Sequence, residues 1–136
     1  MILCDTGPLV AIVDEGDEYH VRCLAALRRM PAGRLVTTWP CLTEAMYLLG
    51  RRGGFLPQDE LWSFVEDGPV VVDHPADDES RRLRRLMVQY HDAPMDLADA
   101  SLVAAAERLG IRRIFTVDHH FLAYRLHGRH PFDVIA

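Results

Sequence analysis

The residues best suited to chemistry are four acids in largely apolar stretches of the sequence: Asp5, Glu44, Asp99 and Asp118. Asp5 is the only charged residue among residues 1–13, and Glu44 is the only one among residues 35–50. A buried carboxylate is unfavourable unless it is protonated, paired with a cation or bound to a metal. The chain has no lysine and no arginine on the same faces as these acids, which favours a divalent cation held by oxygen ligands. The sequence therefore predicts a Mg²⁺ or Mn²⁺ site, where the cation can polarise a phosphodiester and lower the pKa of a bound water.

Local helix chemistry offers a second explanation for some of these acids. Asp96 at a predicted helix N-cap and Asp99 three positions later are both favoured by capping and by the helix dipole. Asp5 can likewise cap the first helix, and Asp118 can begin an Asx-turn. Glu44 lies in the middle of a predicted helix, on a face that we expect to be buried, where capping offers no explanation.

The elements that position these acids alternate between strands and helices. Apolar runs predict strands at residues 1–4, 35–38, 70–73 and 114–117, and a last edge strand at 132–135. Amphipathic patterns with proline or capping signals predict helices at 8–13, 19–30, 39–51, 57–67 and 77–90, an acid-bearing helix after Asp96, and a loop at 51–54. This alternation predicts an α/β protein, a three-layer α/β/α sandwich with a central parallel sheet. Asp5 and Asp118 then lie at the carboxyl ends of strands, where open parallel sheets have their functional sites.

Length and composition are those of one globular domain over residues 1–136. Of these residues, 49% are hydrophobic and 26% are charged, which is enough to bury a core. No apolar run is long enough to span a membrane and no signal segment precedes the first strand, so we expect a cytoplasmic protein. The three cysteines are odd in number and widely spaced, which predicts buried free thiols.

The charge pattern limits the possible partners. A net charge of −5 argues against nucleic acid held by bulk attraction, so any polyanion must be bound locally. All 15 basic residues are arginines, and the absence of lysine excludes P-loop phosphate binding and Schiff-base chemistry. Arginine binds phosphates through its planar fork, so RNA and DNA both remain candidate substrates.

Threonines and histidines near the acids add further candidates. Thr6 and Thr116 adjoin Asp5 and Asp118 and can hydrogen-bond a carboxylate or a metal-bound water, although threonines at strand ends are commonly structural. Four histidines suggest zinc, but their spacing lacks cysteine or acidic partners in a known ligand pattern. We therefore expect surface or loop residues at His119, His120, His127 and His130.

Four segments resemble motifs of the PIN-domain family. They are ILCDTGPL at residues 2–9, TEA at 43–45, DASLVAAA at 99–106 and FTVDHHF at 115–121. They follow one another in the order found in the family and together span nearly the whole chain. The chain is most similar to the small single-domain ribonuclease toxins of type II toxin–antitoxin systems, the VapC-type group.

The resemblance implies a role for each matching residue. It implies that Asp5, Glu44, Asp99 and Asp118 form an acidic quartet that binds Mg²⁺ or Mn²⁺, and Asp96 matches an additional acid of some members. Many members have another aspartate two residues after the fourth acid, where this chain has His120. The resemblance further implies an RNA substrate, a small antitoxin protein as partner, and a homodimer.

The leading hypothesis is a metal-dependent endoribonuclease that hydrolyses RNA with a metal-activated water. Asp5, Asp99 and Asp118 would be ligands, and Glu44 would hold a ligand water or help to deprotonate the attacking water. The alternative is a non-catalytic PIN-like module that binds RNA or protein and keeps the acids as a structural ion site. An acid-cluster phosphatase or receiver-type domain is a further alternative, but those families use a lysine near the aspartates.

Overall fold

The structure of the protein is a computed structural model that describes residues 1–136. Its strands are β1 (Ile2–Cys4), β2 (Leu35–Thr38), β3 (Val70–Asp73), β4 (Arg113–Phe115), β5 (Arg125–Leu126), β6 (His130–Pro131) and β7 (Asp133–Ile135). Its helices are α1 (Thr6–Val13), α2 (His20–Arg29), α3 (Trp39–Gly53), α4 (Phe55–Glu66), α5 (Ser80–Gln89) and α6 (Leu97–Leu109), with a 3₁₀ turn at His119–Leu122. No helix combines the length and the apolar composition that crossing a membrane requires.

Five strands form one parallel sheet in the order β3-β2-β1-β4-β7. Alternate side chains of a strand point to opposite faces of a sheet. Leu3, Val36 and Ile114 accordingly pack with α5 and α6 on one face. Ile2 and Phe115 pack with α1, α2, α3 and α4 on the other face. The predicted three-layer α/β/α sandwich with a central parallel sheet is therefore confirmed.

Helix α6 packs closely against the sheet because its inward residues are small. Ala100, Ala105 and Ala106 are completely buried, next to the larger Leu102 and Val103. Alanine also has the highest helix propensity, so the same residues favour the helix and the close approach. The amino end of α6 consequently lies at the carboxyl edge of the sheet with little space between them.

Several boundaries differ from those predicted from the sequence. Helix α1 begins at Thr6 rather than residue 8, because the Asp5 carboxylate accepts the backbone N–H of Thr6 and caps the helix there. The predicted loop at residues 51–54 is wrong, since α3 continues to Gly53. Helix α5 begins at Ser80 rather than residue 77. These differences move element ends by a few residues and leave the order of elements unchanged.

The end of the chain forms two small features beside β4. Strand β4 ends at Phe115, two residues before its predicted end, and the backbone N–H of Thr116 donates to the carbonyl of Ile135. The predicted edge strand is confirmed as β7 at Asp133–Ile135. The short antiparallel pair β5–β6 was not predicted, because two-residue strands have no readable periodicity. The predicted free thiols are confirmed, as all three cysteines are buried and unpaired.

Candidate metal centre

Three of the four predicted acids come together at the carboxyl edge of the sheet. Asp5 follows β1, Asp118 lies just beyond β4, and Asp99 lies in the first turn of α6. One carboxylate oxygen from each of the three lies within 4.8 Å of the others. Strands β1 and β4 are direct neighbours in the sheet, so the fold itself places Asp5 and Asp118 side by side.

Asp5 is held by hydrogen bonds to both of its oxygens. Its Oδ1 accepts the backbone N–H of Thr6 at 2.7 Å, and its Oδ2 accepts the hydroxyl of Thr116 at 2.7 Å. Only 7% of the residue is exposed. Burial raises the pKa of Asp5 from 3.8 to about 6, against the effect of the two hydrogen bonds and with the help of the charges on Asp118 and Glu44. Of the predicted supporting residues, Thr6 therefore binds this carboxylate through its backbone and Thr116 through its side chain.

Asp99 both caps its helix and faces the site. Asp96 and Asp99 form a capping box, in which Asp96 Oδ1 accepts the N–H of Asp99 at 2.8 Å and Asp99 Oδ2 accepts the N–H of Asp96 at 3.2 Å. The hydroxyl of the buried Tyr124 donates to the same Oδ2 at 3.4 Å. Burial raises the pKa of Asp99 to about 7, and the charges of Asp96, Asp5 and Asp118 add to the rise while the capping bond opposes it.

Asp118 is more accessible than the other two acids. Its backbone N–H donates to the hydroxyl of Thr116 at 2.9 Å, so Thr116 contacts both Asp5 and Asp118. Its Oδ1 accepts the backbone N–H of His120 at 2.9 Å, and the His120 Nδ1 lies 2.8 Å from the same oxygen. The carboxylate therefore has one oxygen engaged by the 3₁₀ turn and the other, Oδ2, without a hydrogen-bond partner.

Glu44 lies at the margin of the three acids, and the prediction that it is buried is wrong. The buried residues of α3 are Cys41, Leu42, Ala45 and Leu49, and Glu44 remains exposed beside them. The carboxylate is nevertheless directed to the site, because the hydroxyl of Thr6 donates to its Oε2 at 3.3 Å. Thr6 thus links Glu44 to the backbone beside Asp5. Asp96 is exposed as well, and its described contacts are those of a helix cap.

Two residues that the sequence did not single out also form the site. A Cβ at Gly7 would lie 2.8 Å from Val117 Cγ2, so the absence of a side chain lets the segment after β1 approach the segment after β4. Tyr124 is fully buried against Phe121 and Tyr90 and reaches Asp99 from 25 positions further along the chain. No local sequence pattern predicts a contact between residues so far apart in the chain.

The donor set fits a hard divalent cation. No arginine forms an ion pair with Asp5, Asp99 or Asp118, so the two buried carboxylates have no permanent positive partner from the chain. Burial raises the pKa of both carboxyl groups, and the neighbouring acids add to the rise. Carboxylate oxygens in this number are the ligands that Mg²⁺ and Mn²⁺ prefer, whereas zinc would favour histidine or cysteine. His127 and His130 are exposed, as expected for surface histidines.

The fold and the site together define a class of α/β proteins that gather aspartates at the carboxyl edge of a parallel sheet. The sequence model of the PIN domain family matches residues 2–125. The chain belongs to the PIN domain family, as its motifs indicated.

Two relatives are similar to the chain over most of its length. Ribonuclease VapC26 of Mycobacterium tuberculosis is 27% identical over 135 residues, which cover 98% of this chain and 99% of VapC26. The crystal structure of Mycobacterium tuberculosis VapC20, described as a Sarcin-Ricin loop cleaving toxin, superposes with a TM-score of 0.79. The match covers 87% of this chain and 90% of VapC20 at 22% sequence identity. VapC20 therefore has the same fold.

Proposed function

We propose that this protein is a metal-dependent endoribonuclease and the toxin of a type II toxin–antitoxin pair, formed by a single PIN-like nuclease domain over residues 1–136. The observation that supports this most directly is the convergence of Asp5, Asp99 and Asp118 within 4.8 Å at the carboxyl edge of the sheet. Membership of the PIN domain family supports the nuclease class. The similarity to a ribonuclease over almost the full length of both chains supports RNA as the substrate.

The residues of the chain divide into those that hold a cation and those that handle the substrate. Asp5, Asp99 and Asp118 would hold Mg²⁺ or Mn²⁺. Asp96 is a candidate fourth ligand, because the hydrogen bonds of the capping box hold it next to Asp99. When bound, the cation supplies positive charge to the phosphodiester and lowers the pKa of a water molecule. Thr116 fixes the direction of the Asp5 carboxylate, as its hydroxyl donates to Oδ2.

Glu44 is the residue placed to move a proton. Its carboxylate is exposed and oriented by the Thr6 hydroxyl, so it can accept the proton of the water that attacks the phosphorus. The oxygen of that water forms a bond to phosphorus in line with the bond to the 3′-oxygen, which breaks, and the departing 3′-oxygen takes a proton from solvent. The products are a 5′-phosphate and a 3′-hydroxyl. A Glu44→Gln variant is expected to cleave slowly while it binds Mn²⁺ nearly as well as the wild type.

The remaining partners follow from charge and from family membership. The net charge of −5 requires that RNA be bound locally, by arginines and by the cation. A small antitoxin protein would cover the site and a homodimer would be the functional unit, in the cytoplasm where cellular RNA lies. Co-expression with the product of the adjacent small reading frame, followed by size-exclusion chromatography, tests both partners at once.

The test of the function is RNA cleavage with matched variants. Purified protein is incubated with tRNA and ribosomal RNA in Mg²⁺, in Mn²⁺ and in EDTA, and the product ends are mapped. Asp5→Asn and Asp99→Asn are expected to abolish cleavage, whereas Glu60→Gln, which changes an exposed acid on α4, is expected to leave cleavage normal. Cleavage that persists in EDTA or in both site variants contradicts the proposal. Metal-dependent stabilisation without cleavage of any RNA would instead favour the non-catalytic binding module.

A further inference from the structure

An exposed aromatic pair lies at the same edge of the sheet as the acids. Trp39 directly follows β2 and His74 directly follows β3, so both residues leave the sheet at its carboxyl edge. Trp39 retains 39% of its surface and His74 is exposed. A large aromatic residue at this position has no role in the core. The pair is separate from the three acids and takes no part in the site described above.

The two side chains are arranged with their faces open. The Trp39 indole N–H donates to His74 Nδ1 at 3.2 Å, which holds the two ring edges together. The ring centroids are 6.0 Å apart with an angle of 42° between the planes, so the rings do not stack on one another. Neither ring therefore covers the face of the other, and the exposed surface of both is left to a ligand.

The backbone beneath the pair is fixed on both sides. Thr38 shares a hydrogen bond of 2.7 Å with Ser101 of α6, which ties the end of β2 to the helix that bears Asp99. Asp73 accepts two hydrogen bonds from the guanidinium of Arg108, which ties the end of β3 to the same helix. Trp39 is the first residue of α3, and His74 directly follows a residue that is bound to α6.

The strand register places the pair next to the acids. Leu3 pairs with Val36, and Thr38 pairs with Asp73. Asp5, Trp39 and His74, which follow β1, β2 and β3, therefore lie at similar positions along the strand direction. Neighbouring strands are about 4.8 Å apart, which puts the backbone of the pair roughly 5–10 Å from the backbone of Asp5 along the edge. This separation suits a nucleotide adjacent to the phosphate that the acids approach.

The surrounding charges favour a base over a phosphate. The segment after His74 contains the exposed Asp77 and Asp78, and Arg108 is already engaged by Asp73 and Glu79. A phosphate would find no free cation from these residues. Aromatic side chains instead stack on unpaired bases, which present a π-face whatever their identity. We propose that Trp39 and His74 form a stacking subsite for an unpaired base next to the scissile phosphate. This inference deepens the proposed ribonuclease function and rests on it.

RNA binding without cleavage tests the subsite. A short, fluorescein-labelled single-stranded RNA of mixed sequence and a matched strand without bases are titrated by anisotropy in Mn²⁺ at low salt, with Glu44→Gln in every protein so that cleavage is slow. Trp39→Ala is expected to weaken binding of the base-bearing strand about tenfold, as loss of one stacking contact does. The strand without bases should change by no more than about twofold, the range of a neutral surface substitution. Trp39→Phe, which retains an aromatic face, should bind nearly as well as the wild type.

Trp62 provides the matched control. It is 37% exposed, like Trp39, but lies on α4 among the acids Asp59 and Glu66. Trp62→Ala is expected to leave RNA binding unchanged. In the Trp62→Phe protein, Trp39 is the remaining tryptophan, and its fluorescence should be quenched as RNA binds. This second readout uses a folded protein with an intact subsite.

The outcomes separate the subsite from the nuclease activity. If Trp39→Ala binds both strands as the wild type does, or if saturating RNA leaves Trp39 fluorescence unchanged, the subsite is refuted while cleavage by the wild type can stand. Absence of RNA binding by the wild type refutes it as well. If Trp39-dependent binding is found but no RNA is cleaved in Mg²⁺ or Mn²⁺, stacking of a base on the pair is supported, whereas the ribonuclease proposal and the place of the pair beside a scissile phosphate fail.

Discussion

Asp5→Asn is expected to stabilise the metal-free protein at neutral pH. An asparagine side chain is close in shape to the aspartate and can keep both contacts, since its oxygen accepts the Thr6 N–H and its amide donates to the Thr116 hydroxyl oxygen. The substitution therefore removes the buried charge and the acceptor of the Thr116 hydroxyl hydrogen, a loss that protonation of Asp5 causes equally. A loss of charge that increases stability is the reverse of the usual effect of a core substitution.

The size of the effect follows from the pKa of Asp5. Folding raises this pKa from 3.8 to about 6, which corresponds to on the order of 3 kcal/mol of destabilisation once the group is ionised. Because the folded state binds the proton more tightly than the unfolded chain, this contribution to stability is complete below about pH 4 and is lost as the pH rises through about 6. Wild type and Asp5→Asn should thus be equally stable in acid and differ at neutral pH.

Urea denaturation in EDTA, at neutral pH and in acid, compares the stability of the two proteins. At about pH 8 the Asp5→Asn midpoint should be higher than that of the wild type with an equal m-value, and at about pH 4 the two midpoints should coincide. Mn²⁺ at about 100 times its dissociation constant adds about 2.7 kcal/mol to a protein that binds it. Mn²⁺ should therefore remove most of the difference in the free energy of unfolding between Asp5→Asn and the wild type. A variant that is less stable than the wild type at neutral pH in EDTA would refute burial as the dominant effect on Asp5.

Substitutions at Arg82 and Asp96, each with a matched control, separate structural roles from site roles. Arg82 donates two hydrogen bonds to the largely buried carboxylate of Glu107. Arg82→Gln removes this partner and should lower the free energy of unfolding by about 2 kcal/mol. Arg81→Gln, on the exposed side of α5, should change the free energy of unfolding little. Asp96→Ala removes the capping bond to Asp99 and should cost about 1 kcal/mol. Asp96→Asn keeps the cap, so a loss of Mn²⁺ affinity in calorimetry would identify Asp96 as a ligand, and unchanged affinity would leave it a cap alone.

The sheet and three acids could be predicted because their signals are local. Apolar runs that end in Asp5 and Asp118 specify strands with acids at the carboxyl edge, and parallel order brings such ends together. Glu44 was misplaced because several orientations of α3 fit its sequence pattern, and only docking on the sheet decides which side is buried. Tyr124 and the pair Trp39–His74 were missed for a different reason. Their contacts join positions 25 and 35 residues apart, and no periodicity encodes a contact of that kind.

Gly7 lies where two acid-bearing segments of the chain touch. A Cβ at this position would lie 2.8 Å from Val117 Cγ2, so any larger residue requires Val117 to shift. Val117 directly precedes Asp118. A residue that offers no ligand thus takes part in the packing of the segments that carry Asp5 and Asp118, because it lacks a side chain where they meet.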